Sequence, residues 1–298
     1  MLEIFSPAKV NLTLHVTGQR EDGYHLLDSL VCFPEIGDRL VIDYAAKTEL
    51  TVYGAGDLVP TDQSNLILQA AQLALPRTAL QISLHKQLPV AGGIGGGSSN
   101  AGAMLRAAAV MSGDAVAPGE PFSSQVLALG ADVPACLFSL PLRMQGIGEA
   151  LSQITTFPGN GHLLLVNPKV ATPTPAVFSA LRTKSNAPMP EILPGFDTYG
   201  TLVNFLDAQR NDLQSPAIGL VPQIGQVLDA LENLDSCDLA RMSGSGATCF
   251  GLFARAQDAE EACARMTREH PEWWCRTGKL SCELNDILPK GQVSRATT

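Results

Sequence analysis

The sequence predicts an α+β fold in two lobes divided near residue 150. Strand-type segments come in hairpin-like groups rather than in regular strand and helix alternation, which argues against a doubly wound parallel sheet. A glycine-rich run, Gly92-Gly93-Ile94-Gly95-Gly96-Gly97, passes directly into an Ala/Leu/Met-rich segment of helical type. A composition break over residues 140–160 separates a first lobe, residues 1–150, from a second, residues 151–298. With 298 residues, 45% hydrophobic and 16% charged, the chain can bury a core of that size.

The elements follow from local patterns. Residues 9–17 alternate, with Val10, Leu12, Leu14 and Val16 apolar against Lys9, Asn11, Thr13 and His15. This is the period of a half-buried strand and puts Lys9 and Asn11 on one face. Residues 18–25 read as a loop, residues 39–44 and 49–53 as strands, residues 65–75 as a helix and residues 80–86 as another strand. Ser98 and Ser99 are good capping types for the helix after the glycines, which ends near Gly113. A Gly/Pro-rich connection at 112–121 precedes a short helix. In the second half, residues 162–166 predict a strand, 201–208 and 223–234 helices, 238–254 a strand, tight loop and strand, and 257–268 a helix. The tail, residues 289–298, is expected to be mobile.

Composition excludes several classes. A net charge of −9 opposes phosphate backbones and anionic surfaces, so no general nucleic-acid or membrane-surface role is expected. No apolar run approaches the roughly 18 residues of a membrane span, and the opening residues lack a basic stretch, apolar core and cleavage site, so a cytoplasmic location is expected. Seven cysteines, with no C-x-x-C pair, suggest buried reduced thiols rather than disulfides or a zinc site.

The glycine run carries the chemistry. Five glycines in six positions let the backbone bend freely and bring several N–H groups to one ligand, and the helix dipole adds positive potential there. This is a site for a polyphosphate. The P-loop pattern is absent, because Gly97 is followed by Ser98 and Ser99 with no lysine, and the dinucleotide fingerprint matches weakly. A second cluster, residues 243–248, offers further N–H groups and hydroxyls but does not have the spacing of a nucleophile elbow. Asp132 lies among apolar neighbours, where it reads either as a helix cap or as a general base with Lys9 as a cationic partner. Taken singly, Lys9 reads as a solvated strand lysine and His25 as a loop histidine.

Together, SPAKVNLTL, PVAGGIGGGSSNA and SGSGATCF resemble, in order, the three motifs of the GHMP small-molecule kinases. Further stretches, PAKVNLTLHVTGQREDGYH, SNLILQAA, LGADVPACLF, TPTPAVF and NDL, resemble the branch that phosphorylates the 2-hydroxyl of a diphosphocytidyl methylerythritol. The resemblance implies an amino-terminal lobe of ribosomal-protein-S5-like type and a carboxy-terminal α/β-sandwich-like lobe. It implies ATP as co-substrate and a requirement for Mg2+, whose ligands it leaves open. Asp132 matches the general base and Lys9 the lysine that orients it. Pro89, Val90, Ala91, Gly92, Gly93, Ile94, Gly95, Gly96, Gly97, Ser98 and Ser99 match the ATP-phosphate segment, and Asn65 and Lys86 lie in stretches bordering the ligands. Tyr24 and Phe178 match aromatic residues that sandwich a cytosine ring, and His25 the residue that reads its edge. Asn11, Gly244, Ser245 and Gly246 match substrate contacts. The expected partner is this small molecule, with neither nucleic acid nor membrane, in a monomer or homodimer.

Two departures stand out: Ala91 where glycine is common, and a short connection at 113–121. The rival readings are another GHMP activity, a catalytically silent GHMP-like sensor, and a nicotinamide-dependent oxidoreductase. Tyr24, His25 and Phe178 oppose the first, and the pair Lys9 and Asp132 opposes the second.

Overall fold

The structure is a computed structural model that describes residues 1–54, 58–113 and 124–291. Its first sheet has the order β14, β1, β5, β7, β6, built from β1 (Leu2–Pro7), β5 (Gly37–Tyr44), β6 (Glu49–Tyr53), β7 (Leu80–His85) and β14 (Lys290–Gly291). Alternate residues Leu2, Ile4, Leu40, Ile42, Leu80, Ile82 and Leu84 point to one face, as the strand period requires. They bury against Ala101, Ala103, Met104, Ala107 and Ala108 of α2 (Gly96–Ser112) and against α1 (Leu66–Ala74). Small side chains on α2 let it lie close to its neighbours. Asn65 caps α1, its side chain accepting from the Ile67 N–H, so that helix begins where the sequence predicts.

A second sheet runs β2 (Val10–Asn11), β4 (His25–Cys32), β8 (Leu142–Gly146), β9 (Ala150–Gln153), with β3 (His15–Gln19) also paired to β4. The single strand expected at 9–17 is therefore interrupted. The cause lies far along the chain: Leu14 leaves β4 and pairs with residues 210–212, donating to the Arg210 carbonyl and accepting from the Asp212 N–H. Both faces of the segment are buried, Lys9, Asn11, Thr13 and His15 included, so it is not the half-buried strand expected. The strand β1 before it is one the sequence reading did not anticipate.

The second lobe has an antiparallel sheet in the order β11 (Leu239–Met242), β12 (Cys249–Phe253), β10 (His162–Asn167), β13 (Trp274–Lys279). Leu164 and Val166 face α8 (Gln223–Glu232) and α9 (Ala256–Glu269), while Leu163 and Leu165 face α6 (Tyr199–Asp207) and residues Val10, Leu12 and Leu30. Covering both faces explains the uninterrupted apolar run of β10. The remaining helices are α3 (Ser124–Leu129), α4 (Val133–Phe138), α5 (Thr174–Ser179), α7 (Gln214–Leu220) and α10 (Leu284–Ile287). The expected division at residue 150 coincides with the first residue of β9, and β14 returns to the first sheet.

The connection expected at 112–121 lies outside the described residues from 114 onward, as does the tail from 292. All seven cysteines are free, and burial pushes the Cys136 thiol up to about 12, so these are packing residues at neutral pH. Among the described residues no helix is long and apolar enough to cross a membrane.

Candidate active site

Lys9 follows β1, and its N–H donates to the Ile94 carbonyl at 2.9 Å, which joins this strand end to the glycine loop. Its side chain is 6% exposed and ends 2.5 Å from Asp132 Oδ1. Asp132 occupies the N-cap position of α4, yet its side chain makes no capping hydrogen bond and is 38% exposed. The carboxylate is thus turned to Lys9 and partly to solvent, which removes the helix-cap reading. The stem of Lys9 packs on Gly95, where an added β-carbon would stand 3.0 Å from Lys9 Cβ.

In the loop, Ala91, Gly93 and Gly95 have φ of 56°, 72° and 62°. Such left-handed turns aim successive N–H groups inward. Helix α2 begins at Gly96 with Gly95 as N-cap and no side-chain cap, so Ser98 and Ser99 lie inside its first turn rather than capping it. The opening N–H groups are left to a ligand. Ser99 Oγ donates to the Pro7 carbonyl at 2.5 Å, and Ile94 is 1% exposed in the core, so neither lines the cavity at the loop. Pro89, Val90, Ala91, Gly92, Gly93, Gly95, Gly96, Gly97 and Ser98 do line it, a cavity of about 380 Å3 shared with Asn65, Lys86 and Leu66.

The second glycine cluster supports the first. Thr248 Oγ1 donates to the Gly92 carbonyl at 2.5 Å while accepting from Asn167 Nδ2 at 2.8 Å. A β-carbon on Gly93 would run into the Gly246 carbonyl. The loop is therefore held in place by the second lobe. Of the three residues expected to meet substrate there, Gly244 approaches Asn11, whereas Ser245 Oγ pairs with Thr174 Oγ1 at 2.7 Å and Gly246 is enclosed by Gly93 and Met242.

Lys86 Nζ lies 2.5 Å from Asp38 Oδ2, and Asp38 Oδ1 also accepts the Gln87 and Leu88 N–H groups. This fixes the ammonium near the start of α2, 3.0 Å from where a Gly96 β-carbon would be. Asp38 was missed by sequence reasoning, since nothing local distinguishes an acid at a strand start.

The His25 and Phe178 rings stack on each other at 4.7 Å and 26°, while Tyr24 ends the preceding turn and is 60% exposed. β4 starts at His25 and carries its ring onto Phe178 of α5. His25 Nε2 is buried without a partner among the described residues. Burial, aided by the Lys184 charge, lowers its pKa, so the ring is neutral near pH 7.

Among the described residues no group of three or more His, Cys, Asp or Glu could hold a metal. The available donors are hard oxygens, the Asp132 carboxylate and the Ser98 hydroxyl, the latter about 4.0 Å from a β-carbon built on Gly130. That set suits magnesium carried by phosphate groups rather than a cage of its own.

Residues 65–139 match the GHMP kinases N terminal domain and residues 196–272 the GHMP kinases C terminal. The chain is 45% identical over 291 residues to a 4-diphosphocytidyl-2-C-methyl-D-erythritol kinase of Roseobacter denitrificans, covering 97% of both. It is 53% identical over 274 residues to the enzyme so named from Dinoroseobacter shibae, covering 91% of this chain and 92% of the relative. A crystal structure of 4-(cytidine 5'-diphospho)-2C-methyl-D-erythritol kinase superposes with a TM-score of 0.74 at 30% identity over 94% of this chain and 100% of that one. Homoserine kinase from Cytophaga hutchinsonii superposes with a TM-score of 0.65 at 15% identity, over 97% and 96%, a likeness of fold alone. The two domains and the loop between strand and helix define an ATP-dependent small-molecule kinase of the GHMP class. Within it, the chain belongs to the 4-diphosphocytidyl-2-C-methyl-D-erythritol kinase family.

Proposed function

We propose that this protein transfers the γ-phosphoryl group of ATP to the 2-hydroxyl of 4-diphosphocytidyl-2-C-methyl-D-erythritol, giving the 2-phosphate and ADP in the non-mevalonate route to isoprenoid precursors. The observation that carries the chemistry is the 2.5 Å contact of Lys9 with Asp132, on a lysine whose own N–H is tied to the glycine loop. Asp132 takes the hydroxyl proton as the alcohol oxygen bonds to the γ-phosphorus and the bond from that phosphorus to the β-phosphate oxygen breaks. Lys9 orients the carboxylate and sets positive charge beside the developing negative oxygen. The N–H groups of residues 92–98 and the start of α2 hold the phosphates, with Lys86 and Asn65 at the cavity wall. Ser98 and Asp132 would hold magnesium, which would supply charge neutralisation. Asn11 and Gly244 contact the acceptor, and His25 with Phe178 and Tyr24 receives the cytosine, for which the unpartnered His25 Nε2 is the reading atom.

The test is ADP release with the cytidylated acceptor against its non-cytidylated analogue, with and without magnesium. Metal-dependent release confined to the cytidylated compound is the expected result. Equal release with both would remove the cytosine assignment, and ATP binding without turnover of any acceptor would favour a silent sensor.

A further inference from the structure

We propose that Ser29 is the positioning residue that turns the Asn11 amide so that its oxygen, and not its nitrogen, meets the acceptor. The inference rests on Asn11 touching the acceptor, as proposed above. The two ends of an amide have nearly the same shape but opposite hydrogen-bonding roles, so its partners decide which end a ligand meets.

Here a chain of obligate roles decides it. The Thr13 carbonyl can only accept, so the Ser29 hydroxyl, 2.5 Å away, donates its single proton there. Only lone pairs then remain on Ser29 Oγ for its other neighbour, the Asn11 side chain at 2.8 Å. That neighbour must be the donor, the Asn11 NH2 group. Asn11 Oδ1 is left on the opposite side, where a β-carbon on Gly244 would stand 3.4 Å from it, and it takes no hydrogen bond among the described residues.

The chain is anchored at both ends. The Asn11 N–H donates to Ser243 Oγ at 3.0 Å, and Thr13 Oγ1 accepts the Leu30 N–H at 2.8 Å, which fixes the backbone that carries the Thr13 carbonyl. Ser29 is 1% exposed and Thr13 0%, so water has no room to take over the hydroxyl's role. The end of Asn11 left unpaired, Oδ1, is therefore an acceptor. It selects a ligand group that has a proton to give, a free hydroxyl of a polyol, and it disfavours a phosphate oxygen at the same spot.

Steady-state kinetics on Ser29→Ala, Ser29→Cys and Ser29→Thr test this. In the alanine variant the amide is free to flip, and KM for the cytidylated acceptor should rise on the order of tenfold, the loss of about one hydrogen bond, with KM for ATP unchanged. Cysteine keeps the volume with a weak hydrogen-bonding group and should follow alanine, which covers the case of an alanine variant that does not fold; threonine retains the hydroxyl and should restore the acceptor KM. An unchanged acceptor KM in the alanine and cysteine variants overturns the inference, as does a parallel rise of both KM values. Failure of the unsubstituted protein to turn the acceptor over sinks this inference and the functional reading together, whereas normal turnover with unaltered variants sinks this one alone.

Discussion

Gly102 of α2 lies against the main chain of Cys136 in α4, so closely that a β-carbon would stand 2.6 Å from the Cys136 carbonyl. One turn on, buried Arg106 donates to the carbonyls of Cys136 at 2.7 Å and Leu137 at 3.1 Å, to Ser139 Oγ, and to the carbonyls of Phe5 and Ile287. Burial lowers its pKa to about 10, which leaves it protonated at pH 7. One helix begins at the glycine loop and the other at Asp132, so this contact sets the distance between the two halves of the proposed site.

Gly102→Ala should push α4 away and cost roughly 1–3 kcal/mol of stability, the usual cost of overpacking. Turnover should fall in the fraction that remains folded, with ATP affinity held. Urea denaturation beside kcat measures both, and an unchanged midpoint would show that the helices part freely.

Asp132→Asn keeps the shape and removes the base. Turnover should drop by about 10²–10⁴, the usual contribution of general-base catalysis, while ATP still binds. Calorimetric titration with a non-hydrolysable ATP analogue, run beside the ADP assay, separates the two.

Ala91 holds a φ of 56°, a region that costs a non-glycine residue roughly 1–2 kcal/mol. Ala91→Gly should raise stability by up to about 1 kcal/mol after the added freedom of the unfolded chain is subtracted. The urea midpoint reports it, and a lower midpoint would mean that the alanine methyl is a net stabilising contact.

His15 is buried, its Nδ1 lies 3.1 Å from the Ala187 carbonyl, and burial lowers its pKa below 6.5. His25 is shifted in the same direction. The folded state therefore binds these protons less well than the unfolded state, and stability should fall as pH drops below 6.5 towards the folded values. His15→Gln should flatten the dependence of the unfolding free energy on pH between about 5 and 6.5, where an imidazole titrates. A slope identical to the parent's would show that His15 is not the group responsible.

What the sequence revealed was what neighbours in the chain decide. The glycine run, the helix after it and the helix at 65–75 are local patterns, and each has its physical cause within a few residues. The pairing of Lys9 with Asp132 was anticipated because both residue types suit one reaction, although the chain separates them by 123 positions. The break in the strand at 9–17 was invisible because its cause, the pairing of Leu14 with Arg210 and Asp212, is nearly 200 residues away. Asp38 under Lys86, Phe178 on His25 and the Thr248 hydroxyl on Gly92 were hidden for the same reason. Ser98 and Ser99 misled because capping preference describes an average helix start, whereas here Gly95 opens the helix and keeps its N–H groups free.

The seam where Thr248 and Gly246 meet Gly92 and Gly93 makes the proposed nucleotide cradle a property of both halves of the chain. A chimera assembled from two relatives would inherit a matched seam only if residues 89–97 and 243–248 came from the same parent. A separately expressed first lobe would carry that cradle with one wall missing.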